Sequence, residues 1–367
     1  MPHPQGHWGN HQFSASHPTN WGFHRCGAPW LSHRVSLVRA GNRRRRHQRT
    51  GDTEVKPPMR IVAVAAVAFI VSGASAVFVL NPFGPSVVDP ETARCDQPPV
   101  TLGAKRSMAD HQEVDVHFTC EGAVQVATIY LPSTAGRHPA LIWVHGAGEA
   151  RRLPYVFPLF SKLVQSGIAV LSYDKRGVGD SEGVCCPGDE GHFNLLTADV
   201  VGAVSVLRSR SDIDPKQIGL FGASQAGWIA PRAAVEAHVA FLALASAPTV
   251  AERTANLYER LASGEQGQLS RAEISRRLKD GGSSGFDPLP YLRQLTVPGL
   301  WEFGTADQRT PVDESISILD SVKADGKDIT VAIFPNAGHG LLDSPPTDPD
   351  AGPTMVRWIL DHVDVPQ

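Results

Sequence analysis

Between residues 113 and 365, short apolar runs alternate with stretches of helical period. The first two runs, 113–119 and 124–131, alternate apolar with polar positions and flank Cys120-Glu121-Gly122-Ala123, so they predict an antiparallel hairpin. The next six, 140–145, 168–173, 218–221, 240–246, 297–303 and 330–334, are largely apolar throughout. Strands without a polar face are buried on both sides, as they are in a parallel sheet covered by helices. Apolar positions every three or four residues supply those helices at 156–166, 194–210, 225–237, 312–324 and 353–362. The expected fold class is α/β: a mostly parallel central sheet with an N-terminal antiparallel hairpin and helices on both faces. A more polar insertion at 250–295 carries two further helical patterns, 251–261 and 271–279, and a glycine-serine break at 281–285, and is expected to be a small helical lid.

Upstream, the pattern changes. Residues 81–94 open with Asn81-Pro82-Phe83-Gly84-Pro85 and have the punctuation of a linker, which sets the folded domain at 95–365. Residues 61–80 are twenty positions without a charge, and as a helix they would span about 30 Å, a bilayer core. Basic side chains precede them (Arg43 to Arg46, Arg49, Lys56, Arg60), which orients the N-terminus to the cytoplasm and the folded part outside. Ala74-Ser75-Ala76 resembles a small-residue cleavage site, so the segment is either a membrane anchor or a cleaved signal peptide. Residues 1–58 hold seven of the fifteen histidines and nine basic against two acidic side chains, with little apolar periodicity. They are a disordered basic tail, or a stretch upstream of a start near Met59. The remainder carries 25 basic against 35 acidic residues, a balance that argues against nucleic acid and anionic lipid as ligands of the folded part.

Chemistry concentrates at three turns. Gly222-Ala223-Ser224-Gln225-Ala226 follows an apolar run and precedes a helix. It matches the GxSxG elbow, in which small residues let a strand turn sharply into a helix and leave the serine hydroxyl exposed, except that Ala226 stands at the last glycine. Asp307 lies just past the 297–303 run and His339 just past 330–334. A serine hydroxyl is a weak nucleophile until an imidazole takes its proton, and a carboxylate must hold that imidazole in the right tautomer. Ser224, Asp307 and His339 occur in the order these roles require of such a sheet. His145-Gly146-Ala147-Gly148, after the strand expected at 140–144, adds an oxyanion turn, with the Ala147 and Gln225 amides as the expected donors. His145 is expected to fix that turn, and Glu149 to pair with Arg151 or Arg152. No metal-ligand spacing occurs in the folded part, and no cofactor is called for.

Segments 145–149 (HGAGE), 172–183 (SYDKRGVGDSEG), 218–231 (IGLFGASQAGWIAP), 304–311 (GTADQRTP) and 336–340 (NAGHG) together resemble bacterial α/β-hydrolases of the esterase and dienelactone-hydrolase-like group, over about residues 113–365. The resemblance implies that fold, the triad, and hydrolysis of a small-molecule carboxylic ester through an acyl-enzyme. It also implies a structural role for the loop of Asp174, Lys175 and Arg176, with anion binding as the lesser alternative. Relatives include thioesterases, acyltransferases and serine peptidases, and a non-catalytic binding module on the same fold is the alternative from another class. Beyond the apolar segment lie Cys95, Cys120, Cys185 and Cys186, which allow three pairings. Cys185 and Cys186 are adjacent, whereas a Cys95–Cys120 bridge would pin the arm before the hairpin to its turn. That bridge is the expected one, given an exported domain.

Overall fold

The computed structural model describes residues 94–187 and 190–365. The basic tail 1–58, the apolar segment 61–80 and all but the last residue of the 81–94 linker lie outside these, and among the described residues no helix is long and apolar enough to cross a membrane. Two short strands, β1 (Val100–Leu102) and β2 (Arg106–Ser107), precede the hairpin of β3 (His111–Cys120) and β4 (Ala123–Pro132). The hairpin loop is Glu121-Gly122 with φ of 48° and 71°. Positive φ at both positions gives a turn whose twist matches its strands, and pairing runs unbroken from Cys120↔Ala123 to His111↔Pro132.

The parallel part follows: β5 (His138–Val144), α1 (Pro158–Gln165), β6 (Ala169–Tyr173), α2 (Glu190–Arg208), β7 (Ile213–Ala223), α3 (Ala226–Ala237) and β8 (Leu242–Ala245). Then come the insertion helices α4 (Glu252–Ala262), α5 (Arg271–Gly281) and α6 (Leu289–Leu292), and finally β9 (Gly299–Gly304), α7 (Val312–Ala324), β10 (Ile329–Phe334) and α8 (Ala351–Leu360). The ten strands of the described residues form one sheet in the order β1-β3-β4-β6-β5-β7-β8-β9-β10, with β2 on β3. Pairing is parallel from β6 to β10 and antiparallel from β6 back through β4 and β3. From β5 the chain steps to β6 on one side and then to β7 on the other. Their carboxyl ends therefore part at a switch point, where sheets of this kind bind ligands.

Each face buries its own apolar layer: α2, α3 and α7 lie over Ile142, Leu220 and Trp301, and α1 and α8 over Leu141, Phe221 and Leu300. Strand β7 starts at Ile213, five residues before its apolar run: Ile213 pairs with His138 and Ile218 with Ala140, and an irregularity between these two pairs leaves the polar Asp214 to Gln217 outside the ladder. The short α6 is an element the periodicity did not disclose. Cys95 and Cys120 are joined in a disulfide that packs on Gly202 of α2, where a Cβ would collide with both sulfur atoms. Cys185 and Cys186 are paired with each other.

One core residue opposes the pattern. Glu302 in β9 is fully buried between Ala245 and Ala332, and neither of its carboxylate oxygens has a hydrogen-bond partner among the described residues. Burial pushes this carboxyl up to about 8, from 4.5. The folded state therefore keeps a proton that the unfolded chain releases, and stability falls as pH rises from 4.5 towards 8. Glu302→Gln should flatten this dependence, so that in thermal melts the Tm of the variant relative to wild type rises by roughly 3–8 °C between pH 5 and pH 8. A constant difference across that range would show that Glu302 does not titrate there.

Candidate active site

The backbone makes the first element of the site. Ser224 lies between the end of β7 and the start of α3 with φ of 57°, a left-handed conformation that costs a non-glycine residue about 1–2 kcal/mol. Its neighbours hold it there: Ser224 N–H donates to Ala245 O at 3.0 Å, and Gly227 N–H to Ser224 O at 2.9 Å. The turn is closely packed. A Cβ on Gly222 would strike the Val144 carbonyl and the Ala226 methyl, and one on Gly227 the Pro248 carbonyl. Ala226 is itself fully buried, so the position that is glycine in the GxSxG pattern accommodates one methyl group.

The loops after β9 and β10 bring in the partners. Ser224 Oγ lies 2.9 Å from His339 Nε2, and His339 Nδ1 lies 2.9 Å from Asp307 Oδ2 and 3.1 Å from Oδ1. Asp307 is buried, and its Oδ1 also accepts from the Arg309 and Thr310 amides at 2.7 and 2.9 Å. Thr310 Oγ1 donates to Ser246 O at 2.7 Å, which ties the acid loop to the end of β8. The two loops meet at Gly304, where a Cβ would collide with the Ala337 carbonyl, and Ala306 N–H donates to that same carbonyl at 2.8 Å. A carboxylate against Nδ1 fixes that nitrogen as the protonated one and leaves Nε2 to accept the serine proton.

The turn after β5 faces the elbow. Among the described residues, the Ala147 and Gln225 amides donate to no protein acceptor, as donors kept for a ligand should. His145 is buried, its Nε2 bonded to Tyr173 O, and desolvation with the nearby Lys175 charge holds it down to about 3. It is neutral and braces the turn. Glu149 is exposed; Arg152, an expected partner, instead bonds Asp174 and Asp180, each at 2.8 Å. Arg176 is buried on Asp199, with Nε to Oδ2 at 2.9 Å, and reaches Cys120 O at 3.0 Å. Lys175, between these two structural residues, points the other way. Its buried Nζ donates to Gly146 O at 2.8 Å, Gly148 O at 3.2 Å and Gln225 Oε1 at 2.6 Å. Sequence reasoning placed it in a loop of structural role, with anion binding as the lesser alternative. No local signal in the sequence marks it, because its three acceptors lie 27 to 50 positions away in the chain.

Within the 250–295 insertion, only α4 and α5 have a core of their own, built on Leu261, Ile274 and Leu278, whereas Phe286, Leu292 and Leu295 pack into the main core. The two helices are bonded to the acid loop. Tyr258 OH donates to Asp307 O at 2.9 Å and Arg271 to Thr305 O at 2.8 Å. A cleft lined by Tyr258, Arg271, Asp313 and Ile333 reaches Asp307 but neither Ser224 nor His339, so it is not where a substrate would react.

Comparison with known proteins agrees with this architecture. Residues 194–365 match the model of the prolyl oligopeptidase family, Peptidase_S9. Thiohydrolase aneE of Aspergillus aculeatus is 36% identical over 116 residues, 31% of this chain and 34% of that protein. YfhR of Escherichia coli K12 is 32% identical over 114 residues, 30% of this chain and 38% of that protein. The matched stretch thus spans little more than a third of either relative. Among solved structures, acetyl xylan esterase 1 from Thermoanaerobacterium sp. JW/SL YS485 superposes with a TM-score of 0.56 at 19% identity, covering 75% of this chain and 91% of that one. The acetyl xylan esterase from Paenibacillus sp. R4 gives 0.53 at 17% identity, over 72% and 89%. The chain has the α/β-hydrolase fold.

The hydroxyl of Tyr258 links the α4–α5 pair to the acid's own backbone. Tyr258→Phe should lower stability by about 1 kcal/mol in denaturant unfolding. It should leave Ser224 reactive towards a fluorophosphonate probe, because no side-chain contact of Asp307 or His339 is lost. Loss of labelling in the folded variant would show that the helix pair itself sets the triad.

Proposed function

We propose that this chain is a serine hydrolase that cleaves carboxylic esters through an acyl-enzyme, with Ser224, His339 and Asp307 as its triad. The observation that carries this is the left-handed Ser224, its hydroxyl 2.9 Å from an imidazole that is itself 2.9 Å from a buried carboxylate. In the first half-reaction Ser224 Oγ attacks the ester carbonyl as its proton passes to His339 Nε2. The Ala147 and Gln225 amides receive the negative charge that forms on the carbonyl oxygen. The C–O bond to the alcohol then breaks, and the imidazolium returns its proton to the leaving oxygen. In the second half a water attacks the acyl carbonyl and gives its proton to His339; the bond from the acyl carbon to Ser224 Oγ then breaks, the imidazolium returns the proton to Oγ, and the acid leaves. Asp307 stays ionised and stabilises the imidazolium. Every proton is handled by the chain's own residues, and no cofactor enters a step.

The structural likeness to acetyl xylan esterases supports an ester as the bond cleaved. A second reading, amide or thioester cleavage by the same machinery, is favoured by the prolyl oligopeptidase match at 194–365 and by the thiohydrolase relative. We also propose that the domain works outside the cytoplasm, held by residues 61–80 as an anchor or released by their cleavage. The Cys95–Cys120 disulfide supports this, since such bonds persist in oxidising compartments.

Ser224→Ala should lower turnover of p-nitrophenyl esters by roughly 10⁴ to 10⁶-fold while the domain remains folded, because it deletes the nucleophile and little volume. Activity within tenfold of wild type would remove Ser224 from the mechanism. Run on the wild type beside aminoacyl-anilides and acyl thioesters, the same assay separates the readings, with esters expected to react fastest.

A further inference from the structure

We propose that Lys175 is the positioning residue of the oxyanion hole: its ammonium clamps the Gly146–Ala147 peptide and the Gln225 side chain together, and so sets the spacing of the two donor amides. The proposal rests on the ester-hydrolase reading above. A peptide unit is planar and trans, so its C=O and N–H point in opposite directions. The carbonyl that Lys175 Nζ holds at 2.8 Å is that of Gly146, the other end of the same planar unit as the Ala147 N–H. Fixing that oxygen fixes the direction of the donor and polarises it. Through Gln225 Oε1, at 2.6 Å, the same ammonium reaches the residue that carries the second donor, across the gap between the β5 turn and the elbow. Gly148 O, at 3.2 Å, is its third acceptor.

The arrangement is costly to fold, which argues against an incidental contact. Lys175 is buried, and all three of its acceptors are neutral. The charged and titratable side chains around it are otherwise engaged. His145 of the β5 turn is neutral, Asp174 is on Arg152 and the Asp180 amide, and Arg176 is on Asp199. No carboxylate therefore cancels the charge, and the positive field remains available to an oxyanion held by the adjacent amides. Burial brings the ammonium down to about 8. Protonated below that pH and neutral above it, Lys175 donates through three N–H groups only on the acid side.

The test compares wild type with Lys175→Met, which keeps the length of the stem and removes the ammonium, on a short-chain p-nitrophenyl ester. The expected result is a fall in kcat of roughly 100 to 1000-fold with KM within about threefold, because the clamp serves the transition state more than the ground state. Wild-type kcat should also decline as pH rises through about 8, and this limb should be absent from the variant. A merely structural lysine would leave the limb in place. A folded Lys175→Met with kcat within threefold of wild type, with its loss confined to KM, or with the alkaline limb retained overturns the proposal. If Lys175→Met does not fold, Gln225→Met decides. It removes one acceptor of the clamp and keeps the backbone amide, so kcat should drop roughly 3 to 10-fold at unchanged KM; an unchanged kcat overturns the proposal. Failure of the underlying reading looks different: the wild type itself would neither turn over the ester nor take a fluorophosphonate label at Ser224.

Discussion

The left-handed backbone at Ser224 is the constraint on which the rest of the site depends. An L-residue at φ of 57° is held by its surroundings at a cost of about 1–2 kcal/mol. Those surroundings are the central strands: β8 supplies the carbonyl that takes the Ser224 amide, and β5 crowds Gly222 so closely that nothing larger fits. A nucleophile in this conformation stands clear of strand and helix, where an imidazole from another loop can reach it. The parallel order of β7, β8, β9 and β10 delivers that imidazole and its carboxylate from successive strand ends. Sheet, elbow and proposed triad are thus one arrangement, seen at three scales.

Buried charge is used unequally around this arrangement. Asp307 accepts from two backbone amides besides His339, so its ionised form is well satisfied. Lys175 has three neutral acceptors and no counter-ion in contact, and Glu302 has no hydrogen-bond partner among the described residues. Burial therefore favours the neutral form of both, which brings each to about 8. The two differ in place. Lys175 spans the two segments that would receive the oxyanion, whereas Glu302 lies inside β9 and bears on stability.

Much of this was legible in the sequence, for identifiable reasons. Strands buried on both faces leave continuous apolar runs, so β5, β6, β8, β9 and β10 were found within a few residues of their ends, and α7 with the bounds the structure gives it. The elbow, acid and histidine were legible because each directly follows such a run. The strands β1 and β2 were missed because they are short and exposed, and α6 because four residues carry no period. Lys175 escaped for a different reason. Its partners lie 27 to 50 positions away in the chain, and only the fold brings Gly146, Gly148 and Gln225 around one nitrogen. The same holds for Arg152, whose expected neighbour Glu149 loses to Asp174 and Asp180 across the β5 and β6 loops.

The most direct test of the account is covalent. Intact-protein mass spectrometry after brief exposure of the wild-type protein to a slowly deacylating p-nitrophenyl ester should find one acyl group per chain, released with first-order kinetics after a stoichiometric burst of p-nitrophenol. Peptide mapping should place it on Ser224. An acyl group on another side chain, or steady turnover with no acyl-enzyme and an unlabelled Ser224, would contradict the account.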